Sequence, residues 1–283
     1  MRWIGREYAH FDMKSRLIKG TLTVLGAIAL STIGIFAADS LQGIKGGIGQ
    51  IAGVGGSTQG ICTEGATPLT IDGRVICIDT YEVSPGNGCP HKMPNNIVES
   101  ENNAKVSECY GASVPDAMPW TYVTLLQAQR ICATTGKRLP TSEEWYHIAL
   151  GTEPDTCVIS GTAVVKTGTP GCVSSVGAYD LVGNVWEWVY EEVVGKSFNG
   201  RELPEEGYVT SVDSQGVAVT SGQTADELYG KDYIWTKGEG VFGMIRGGFY
   251  GSNQDAGLYT LNASVPTGFA TQGVGFRCVK DVF

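Results

Sequence analysis

Charged side chains are scarce in this 283-residue sequence, and basic ones are the scarcer kind. Only 17% of the residues are charged, and 20 Lys and Arg stand against 29 Asp and Glu, which gives a net charge of −9. A nucleic-acid-binding protein should carry a basic stripe, and none follows residue 20. The sequence therefore argues against a nucleic-acid partner. Its 40 glycines and 42% hydrophobic residues indicate a loop-rich globular protein.

The segment from Arg246 to Cys278, the C-terminal segment, lacks the side chains that catalysis needs. Its central residues, 249–273, include one charged side chain, Asp255, and no Lys, Arg, Glu, His or Cys. A catalytic pocket needs a nucleophile, a base or a metal ligand. What is present is a set of aromatic residues among Gly, Ser, Thr, Asn, Gln and Ala, a composition typical of antibody contact loops. The segment therefore predicts a binding surface.

The N-terminus predicts a membrane anchor. A basic segment, residues 1–19, precedes an uncharged run, residues 20–38. As a helix this run would span about 28 Å, close to the roughly 30 Å hydrocarbon thickness of a bilayer. An uncleaved signal-anchor is favoured, and a cleaved signal peptide is the alternative. The basic segment would be cytoplasmic, so the Gly-rich tether 39–60 and the folded domain 61–283 would lie at the cell surface, anchored by a single transmembrane helix.

All eight cysteines follow the apolar run, which favours disulfides in an exported domain. Three local pairs would each close a loop of roughly 15 to 20 residues, and one long-range pair would remain. The candidate pairs are Cys62–Cys77, Cys89–Cys109, Cys157–Cys172 and Cys132–Cys278. A zinc site is the rival interpretation, but no Cys-x-x-Cys pair exists and only His91 lies near a cysteine. Sequence alone leaves the connectivity open.

Periodicity predicts a strand and two helices in the domain. Residues 73–83 alternate and are rich in β-branched side chains, which predicts a strand. Residues 124–134 show helical spacing. Their inward positions are Leu125, Ala128, Ile131 and Cys132. Thr141 and Glu144 have the spacing of a capping box, which predicts a helix that ends near Ala149.

Two long stretches, 90–118 and 190–240, lack such periodicity. Both are polar and rich in turn-forming residues. We expect them to be insertions on the surface of the domain.

Five motifs in order resemble the formylglycine-generating-enzyme (sulfatase-modifying factor) superfamily. They are Cys77-Ile78-Asp79-Thr80-Tyr81-Glu82-Val83, Gly136-Lys137-Arg138-Leu139-Pro140-Thr141-Ser142-Glu143-Glu144-Trp145, Tyr179-Asp180-Leu181-Val182-Gly183-Asn184-Val185-Trp186-Glu187-Trp188, Ile245-Arg246-Gly247-Gly248 and Gly275-Phe276-Arg277-Cys278. The resemblance covers most of residues 75–280. It implies an α+β, C-type-lectin-like domain that is loop-rich and braced by disulfides, and structural roles for Arg138 and Arg277.

The resemblance also shows what the chain lacks as an enzyme. The superfamily's oxidase activity depends on a cysteine pair between the Arg-Gly-Gly and Gly-Phe-Arg motifs, and that interval holds no cysteine here. Without the thiolates the copper site and its chemistry are lost. The related iron-dependent sulfoxide synthases need a histidine cluster, whereas this chain has only His10, His91 and His147. We therefore expect no enzymatic activity and no required cofactor.

Calcium is the one metal that the resemblance suggests. The superfamily often binds calcium near the motif that spans residues 179–188 here. The ligands would be carbonyls of Val182, Gly183 and Val185 with the carboxylate of Glu187. The alternative is a tight turn in which Glu187 forms a salt bridge. Because Glu187 alternates with Trp186 and Trp188, its carboxylate should point away from the two rings.

The C-terminal segment is more closely similar to the variable region of diversity-generating-retroelement target proteins. In those proteins adenine-directed mutagenesis changes the side chains displayed on a lectin-like fold. The corresponding contact residues here are Phe249, Tyr250, Gly251, Ser252, Asn253, Asp255, Tyr259, Ser264, Thr267, Gly268, Phe269 and Thr271. The implied partner is a protein or other macromolecular ligand on another cell or on a phage. A superfamily enzyme with relocated cysteines and a non-variable envelope protein are the alternatives.

Within this set the aromatic residues should contribute most of the binding energy. Tyr250, Tyr259 and Phe269 are the expected hot spots. We expect Phe249 and Phe269 to be exposed, while Tyr259 is as consistent with the core as with the surface. Two further residues of the segment, Leu258 and Leu261, are expected to fill the core.

Overall fold

The computed structural model describes residues 60–282. The predicted cytoplasmic segment, the apolar run 20–38 and all but the last residue of the tether 39–60 lie outside the described residues. Within residues 60–282, no helix is both long and apolar enough to cross a membrane.

The described residues form mostly β-sheet. The strands are β1 (Ala66–Ile71), β2 (Arg74–Asp79), β3 (Val83–Pro85), β4 (Gly111–Ser113), β5 (Trp186–Val194), β6 (Ser197–Phe198), β7 (Arg201–Glu202), β8 (Gly207–Val212), β9 (Ala218–Gly222), β10 (Tyr233–Trp235), β11 (Val241–Arg246), β12 (Leu261–Val265), β13 (Val274–Phe276) and β14 (Val279–Asp281). The largest sheet has nine strands in the order β7-β6-β5-β11-β12-β10-β8-β9, with β13 also paired to β5. Two small sheets, β1-β2-β14 and β3-β4, complete the domain.

Among residues 60–282, three α-helices accompany the sheets, which agrees with the predicted α+β class. They are α1 (Ile97–Lys105), α2 (Leu125–Thr134) and α3 (Ser142–Ala149). Thr124 and Thr141 cap α2 and α3, and each forms a capping box with the residue three positions on. Both predicted helices are therefore confirmed, and the four predicted inward residues of α2 are buried.

The nine-stranded sheet separates two hydrophobic cores. On one face, α3 packs on the first core, which includes Trp145, Ile148, Val189, Met244 and Leu261. On the other face, α2 packs on the second core, which includes Leu125, Ile131, Trp188, Ile245 and Phe276. Because successive strand residues point to opposite faces, neighbours such as Trp188 and Val189 belong to different cores.

The expectation that residues 190–240 are a surface insertion is wrong. This stretch holds β6 to β10 and the end of β5, and it contributes several fully buried side chains to the first core. These are Val193, Val209, Val217, Ala218 and Ile234. Strands β8 and β9 are rich in Thr, Ser and Gly, and β10 has three residues of which only Ile234 is buried, so hydrophobic periodicity does not reveal these strands.

Two other boundaries differ from the prediction. Residues 73–83 are two strands, because β2 ends at Asp79 and β3 begins at Val83. Residues 90–118 contain α1 and β4, so this stretch is also more ordered than an insertion. Helix α1 is polar, and only Ser100 and Asn103 of its residues are buried, which explains why hydrophobic periodicity does not reveal it.

All four predicted disulfides form. Three close local loops, with sequence separations of 15, 20 and 15 residues. The fourth, Cys132–Cys278, spans 146 residues and joins α2 to the end of the C-terminal segment. No cysteine remains free.

A buried ion pair holds the end of the C-terminal segment. Arg277 donates from Nε and Nη2 to the carboxylate of Glu187, at 2.6 to 2.9 Å, and both side chains are almost completely inaccessible. Its remaining donors reach the carbonyls of Asp79 (3.0 Å) and Tyr179 (2.7 Å). The indole Nε1 of Trp145 donates to Glu187 Oε2 at 2.7 Å. Arg277 is therefore structural, as expected.

Arg138 is structural as well. Its guanidinium donates to both carboxylate oxygens of Glu144, at 2.7 and 2.8 Å, and to Asp281 at 2.7 and 3.0 Å. The residue thus ties the start of α3 to β14.

We expect Glu187→Gln to lower the free energy of unfolding by about 3–5 kcal/mol, because it leaves the buried Arg277 without a counter-charge. Chemical denaturation with the disulfides intact measures this change. Glu192→Gln, at an exposed position of the same strand, is the matched control and should change stability by less than about 0.5 kcal/mol. Equal effects of the two variants would contradict a special role for the ion pair.

Candidate ligand-binding site

An open depression of about 390 Å³ lies over the second core, at the ends of β12 and β13. Its floor includes Trp186, Ile245 and Val274, which also belong to that core. The rest of the lining is Phe249, Tyr250, Asn262, Ser264, Val265, Pro266, Phe269, Thr271, Gln272 and Gly273. No described residue in this lining carries a charge, so the depression offers an apolar surface with a few neutral hydrogen-bonding groups.

The depression brings together part of the predicted contact set. Phe249, Tyr250, Ser264, Phe269 and Thr271 all line it. Residues 267 and 268 lie in the turn between two lining residues, since the Phe269 amide donates to the Pro266 carbonyl at 2.8 Å. Thr267 and Gly268 are therefore adjacent to lining residues along the chain but are not themselves in the lining.

Four other predicted residues lie in the turn that follows Tyr250, outside the lining. They are Gly251, Ser252, Asn253 and Asp255. The Ser252 hydroxyl accepts a hydrogen bond from the Phe249 amide at 3.0 Å, and Asn253 Oδ1 accepts one from the Ser160 hydroxyl at 3.0 Å. These side chains support the turn as well as meeting solvent.

Tyr259 is separated from the depression. Its ring lies 5.9 Å from that of Tyr146 and 5.6 Å from that of Tyr229, and it packs against the first core on the opposite face of the sheet. Leu261 is fully buried in the same core, as expected, and Leu258 is only partly buried against it.

The expected exposure of Phe249 is only partly met. Its ring is half-buried, packs against the second core and covers the Cα of Gly273, where an added Cβ would lie 2.8 Å from the ring. The glycines at 251 and 273 leave room for the ring to fold back onto the sheet. Phe269 is 39% exposed at the edge, as expected.

The backbone around the depression is held by backbone partners. The Thr267 and Thr271 carbonyls accept from the amides of Leu125 (3.2 Å) and Tyr122 (3.0 Å). The Gly273 carbonyl accepts from the Trp186 amide at 2.9 Å. Such hydrogen bonds do not depend on side-chain identity, so substitutions in this loop leave its support intact.

The start of the C-terminal segment is fixed by a second buried arginine. The two Nη atoms of Arg246 donate to the hydroxyl of Ser142 (2.8 Å) and to the carbonyls of Ser142, Gly216 and Leu258 (2.8 to 3.2 Å). Its guanidinium also stacks 5.1 Å from the ring of Trp145. Burial lowers the pKa of Arg246 to about 10.

Two glycines follow Arg246 because nothing larger fits. Gly247 and Gly248 have φ of 89° and 85°, in the left-handed region. A Cβ at Gly247 would lie 2.3 Å from the Leu181 carbonyl oxygen, and one at Gly248 would lie 2.5 Å from the Cβ of Ala256.

Near Arg246, a buried carboxylate holds the loop that leads to β12. Asp232 accepts from the Tyr259 amide at 2.6 Å. Burial raises the pKa of Asp232 to about 7, although this hydrogen bond and the charge of Arg246 act against the rise. Burial likewise raises the pKa of Glu191, which accepts from the Ser142 amide, to about 7.

The geometry argues against the calcium site suggested for Val182, Gly183, Val185 and Glu187. The Glu187 carboxylate points away from the two tryptophans, as expected, but both of its oxygens are already bound to Arg277. A carboxylate neutralised by a buried guanidinium is a poor cation ligand. The structure thus supports the alternative interpretation, a salt-bridged Glu187.

A comparison with protein families agrees with this architecture. The model of the sulfatase-modifying factor enzyme 1-like domain matches residues 66–282, which is most of the chain. The chain belongs to this family. Its mostly-sheet fold and four disulfides agree with a C-type-lectin-like domain.

Individual relatives are more distant. Inactive C-alpha-formylglycine-generating enzyme 2 of Bos taurus is 27% identical over 38% of this chain, which spans less than half (46%) of that protein. Among solved structures, the P3c variant of the Major Tropism Determinant is 17% identical with a TM-score of 0.44, over 78% of this chain and 54% of that one. Treponema denticola variable protein 1 is 11% identical with a TM-score of 0.39, over 77% and 99%.

Much of the lining of the depression was not predicted from the sequence. Asn262 could have been found by strand alternation, because its neighbours Leu261 and Ala263 face the first core. Trp186 could not, because it comes from a distant strand whose pairing with β13 places it opposite Val274.

We predict that Gly248→Ala lowers the free energy of unfolding by about 2 kcal/mol or more, since it combines a left-handed φ with a clash against Ala256. Gly268→Ala is the control: nothing lies within 4 Å of its added Cβ. Its effect should stay within about 0.5 kcal/mol. Denaturation midpoints compare the two, and a tolerated Gly248→Ala would show that this end of the segment is not rigid.

Stability should fall as the pH rises from about 4 to 8. Between about pH 4 and 7 the unfolded Asp232 is ionised while the folded one keeps its proton. Its contribution to stability is therefore complete below its ordinary pKa of 3.8 and is lost as the pH passes about 7. Asp232→Asn should reduce the fall by on the order of 1–3 kcal/mol. Asp72→Asn, in the exposed turn between β1 and β2, should leave the pH profile unchanged. An unchanged profile in Asp232→Asn would rule out this assignment.

Proposed function

We propose that the chain is a ligand-binding protein displayed at the cell surface, and that a retroelement diversifies the side chains of its depression. The observation that carries the proposal is the division of roles within residues 249–273. Their backbone is held by hydrogen bonds to the amides of other segments, while several of their side chains line one open, uncharged depression. A fold built in this way accepts new side chains without losing its frame.

The chemistry of the depression suits a macromolecular ligand. Tyr250 and Phe269 offer large, partly exposed rings, and Ser264, Thr271 and Gln272 offer neutral hydrogen-bonding groups. Aromatic rings with few torsions give contact area at low entropic cost, and small polar residues adapt to the partner. A protein surface on another cell or a phage fits such a site.

We also propose that the chain is not an enzyme. All eight cysteines are paired, so none is available as the thiolate that the superfamily's oxidase chemistry requires. The bovine relative is itself named as inactive. An enzyme with relocated active cysteines would need at least one free thiol.

Display at the cell surface rests on the sequence. The basic segment 1–19 and the apolar run 20–38 have the pattern of a signal-anchor, and four disulfides suit an oxidising compartment.

Sequencing the gene and its flanking DNA from independent isolates tests the diversification. We expect a reverse transcriptase gene and a near-identical template repeat that differs at adenines. Substitutions should fall on codons for lining residues such as Ser264, Phe269 and Thr271, and spare Gly248 and Arg277. The absence of a template repeat, or substitutions spread evenly over the domain, would contradict the proposal.

A further inference from the structure

A row of aromatic side chains continues from the depression across the nine-stranded sheet. The rings of Tyr208 and Tyr233 are 5.1 Å apart, those of Tyr233 and Trp235 are 4.6 Å apart, and those of Trp235 and Trp186 are 5.7 Å apart. We call Tyr208, Tyr233 and Trp235 the aromatic strip. Trp186 belongs to the floor of the depression, so the strip and the depression meet there.

The register of the sheet explains this continuity. Trp235 lies opposite Asn262, whose side chain lines the depression, and Tyr233 lies opposite Tyr208. Residues paired across a sheet point to the same face. The strip and the depression therefore face the same side, while Ile234 between the two strip residues of β10 is buried on the other side.

The strip does more than close the core. Trp235 packs partly against the second core, but Tyr208 and Tyr233 belong to neither core, and each keeps part of its ring accessible. Tyrosine rings with one apolar face and an accessible hydroxyl are typical of protein interfaces.

An acidic side chain contacts the strip. The hydroxyl of Tyr233 lies 3.4 Å from Oε1 of Glu206. Burial, followed by the charges of Glu206 and Asp255, raises the pKa of Tyr233. The depression itself has no charged lining residue, and Glu206 is the charged side chain in hydrogen-bond contact with the strip, in a chain with a net charge of −9. A partner with Lys or Arg beside its apolar contact would be complementary.

We infer that the aromatic strip and the depression form one contact surface, and that its partner is a protein presenting an apolar side chain flanked by Lys or Arg. This inference rests on the proposed function. The strip lies outside the C-terminal segment, so diversification leaves it unchanged. It would supply the contact that all variants share, while the depression decides which partner binds.

The probe is a phage-displayed random peptide library, panned on the immobilised full chain. We expect the enriched peptides to carry an aromatic or large aliphatic residue with Lys or Arg nearby. Enrichment of acidic peptides, or of peptides without charge, would overturn the choice of partner.

The affinity of one enriched peptide is then measured for four variants of the full chain. Tyr233→Ala and Phe269→Ala should each weaken binding at least tenfold, whereas Tyr233→Phe should retain most of it. Tyr190→Ala removes an exposed ring of β5 outside the strip and should change affinity less than twofold. Denaturation midpoints identify any variant that is unfolded, and Tyr208→Ala replaces Tyr233→Ala in that case.

The outcomes separate this inference from the proposed function. If Phe269→Ala abolishes binding and Tyr233→Ala does not, the depression binds and the strip inference is wrong. If neither variant weakens binding, both the strip inference and the proposed binding role of the depression are wrong. A final arm repeats the measurement in a chain with Phe269→Ser and Thr271→Asn, panned anew. Tyr233→Ala should weaken its new peptide as well, and an unaffected new peptide would show that the strip is not a shared contact.

Discussion

The buried ion pair between Glu187 and Arg277 is the interaction on which the rest of the domain depends. It joins β5, at the centre of the large sheet, to the residue after β13, and its spare donors reach the backbone of residues 79 and 179. Trp145 of α3 binds the same carboxylate. One pair of charges thus connects the large sheet, the small sheet, a helix and a loop. Separating the two charges would leave each buried without a partner, which is energetically costly. The ion pair therefore fixes the position of the Arg277 end of the C-terminal segment.

Arg246 does for the start of the C-terminal segment what Arg277 does for its end. Each guanidinium is fully buried, and each donates hydrogen bonds to carbonyl oxygens of residues from other parts of the chain. Two ends fixed in this way define the path of the residues between them. The disulfide Cys132–Cys278 adds a covalent cross-link at the Arg277 end of the segment. Between the ends, side chains such as Leu261 enter a core and Ser252 holds a turn, whereas Phe269 lies at the edge of the depression and is partly exposed.

The sequence predicted what depends on neighbours along the chain. The capping residues Thr124 and Thr141, and the buried face of α2, follow from local spacing and are confirmed. The short strands of residues 190–240 were missed, because a strand such as β10, with one buried residue, is defined only by its partners. Phe249, Tyr250 and Phe269 could be predicted as contact residues because they lie in one continuous segment. Trp186 could not, because its position beside them depends on the pairing of β5 with β13, which no local pattern encodes.

A binding surface on which many residues are substituted needs some contacts that stay the same. Diversified positions cannot provide it, because a change that suits one partner removes the contacts made with another. The structure places aromatic rings from outside the C-terminal segment beside those within it, with Trp186 in the floor of the depression and Trp235 next to it on β10. Both rings pack on the second core, most of whose residues lie outside the C-terminal segment. An arrangement of fixed rings with replaceable neighbours would keep a basal affinity for protein surfaces while its specificity changes.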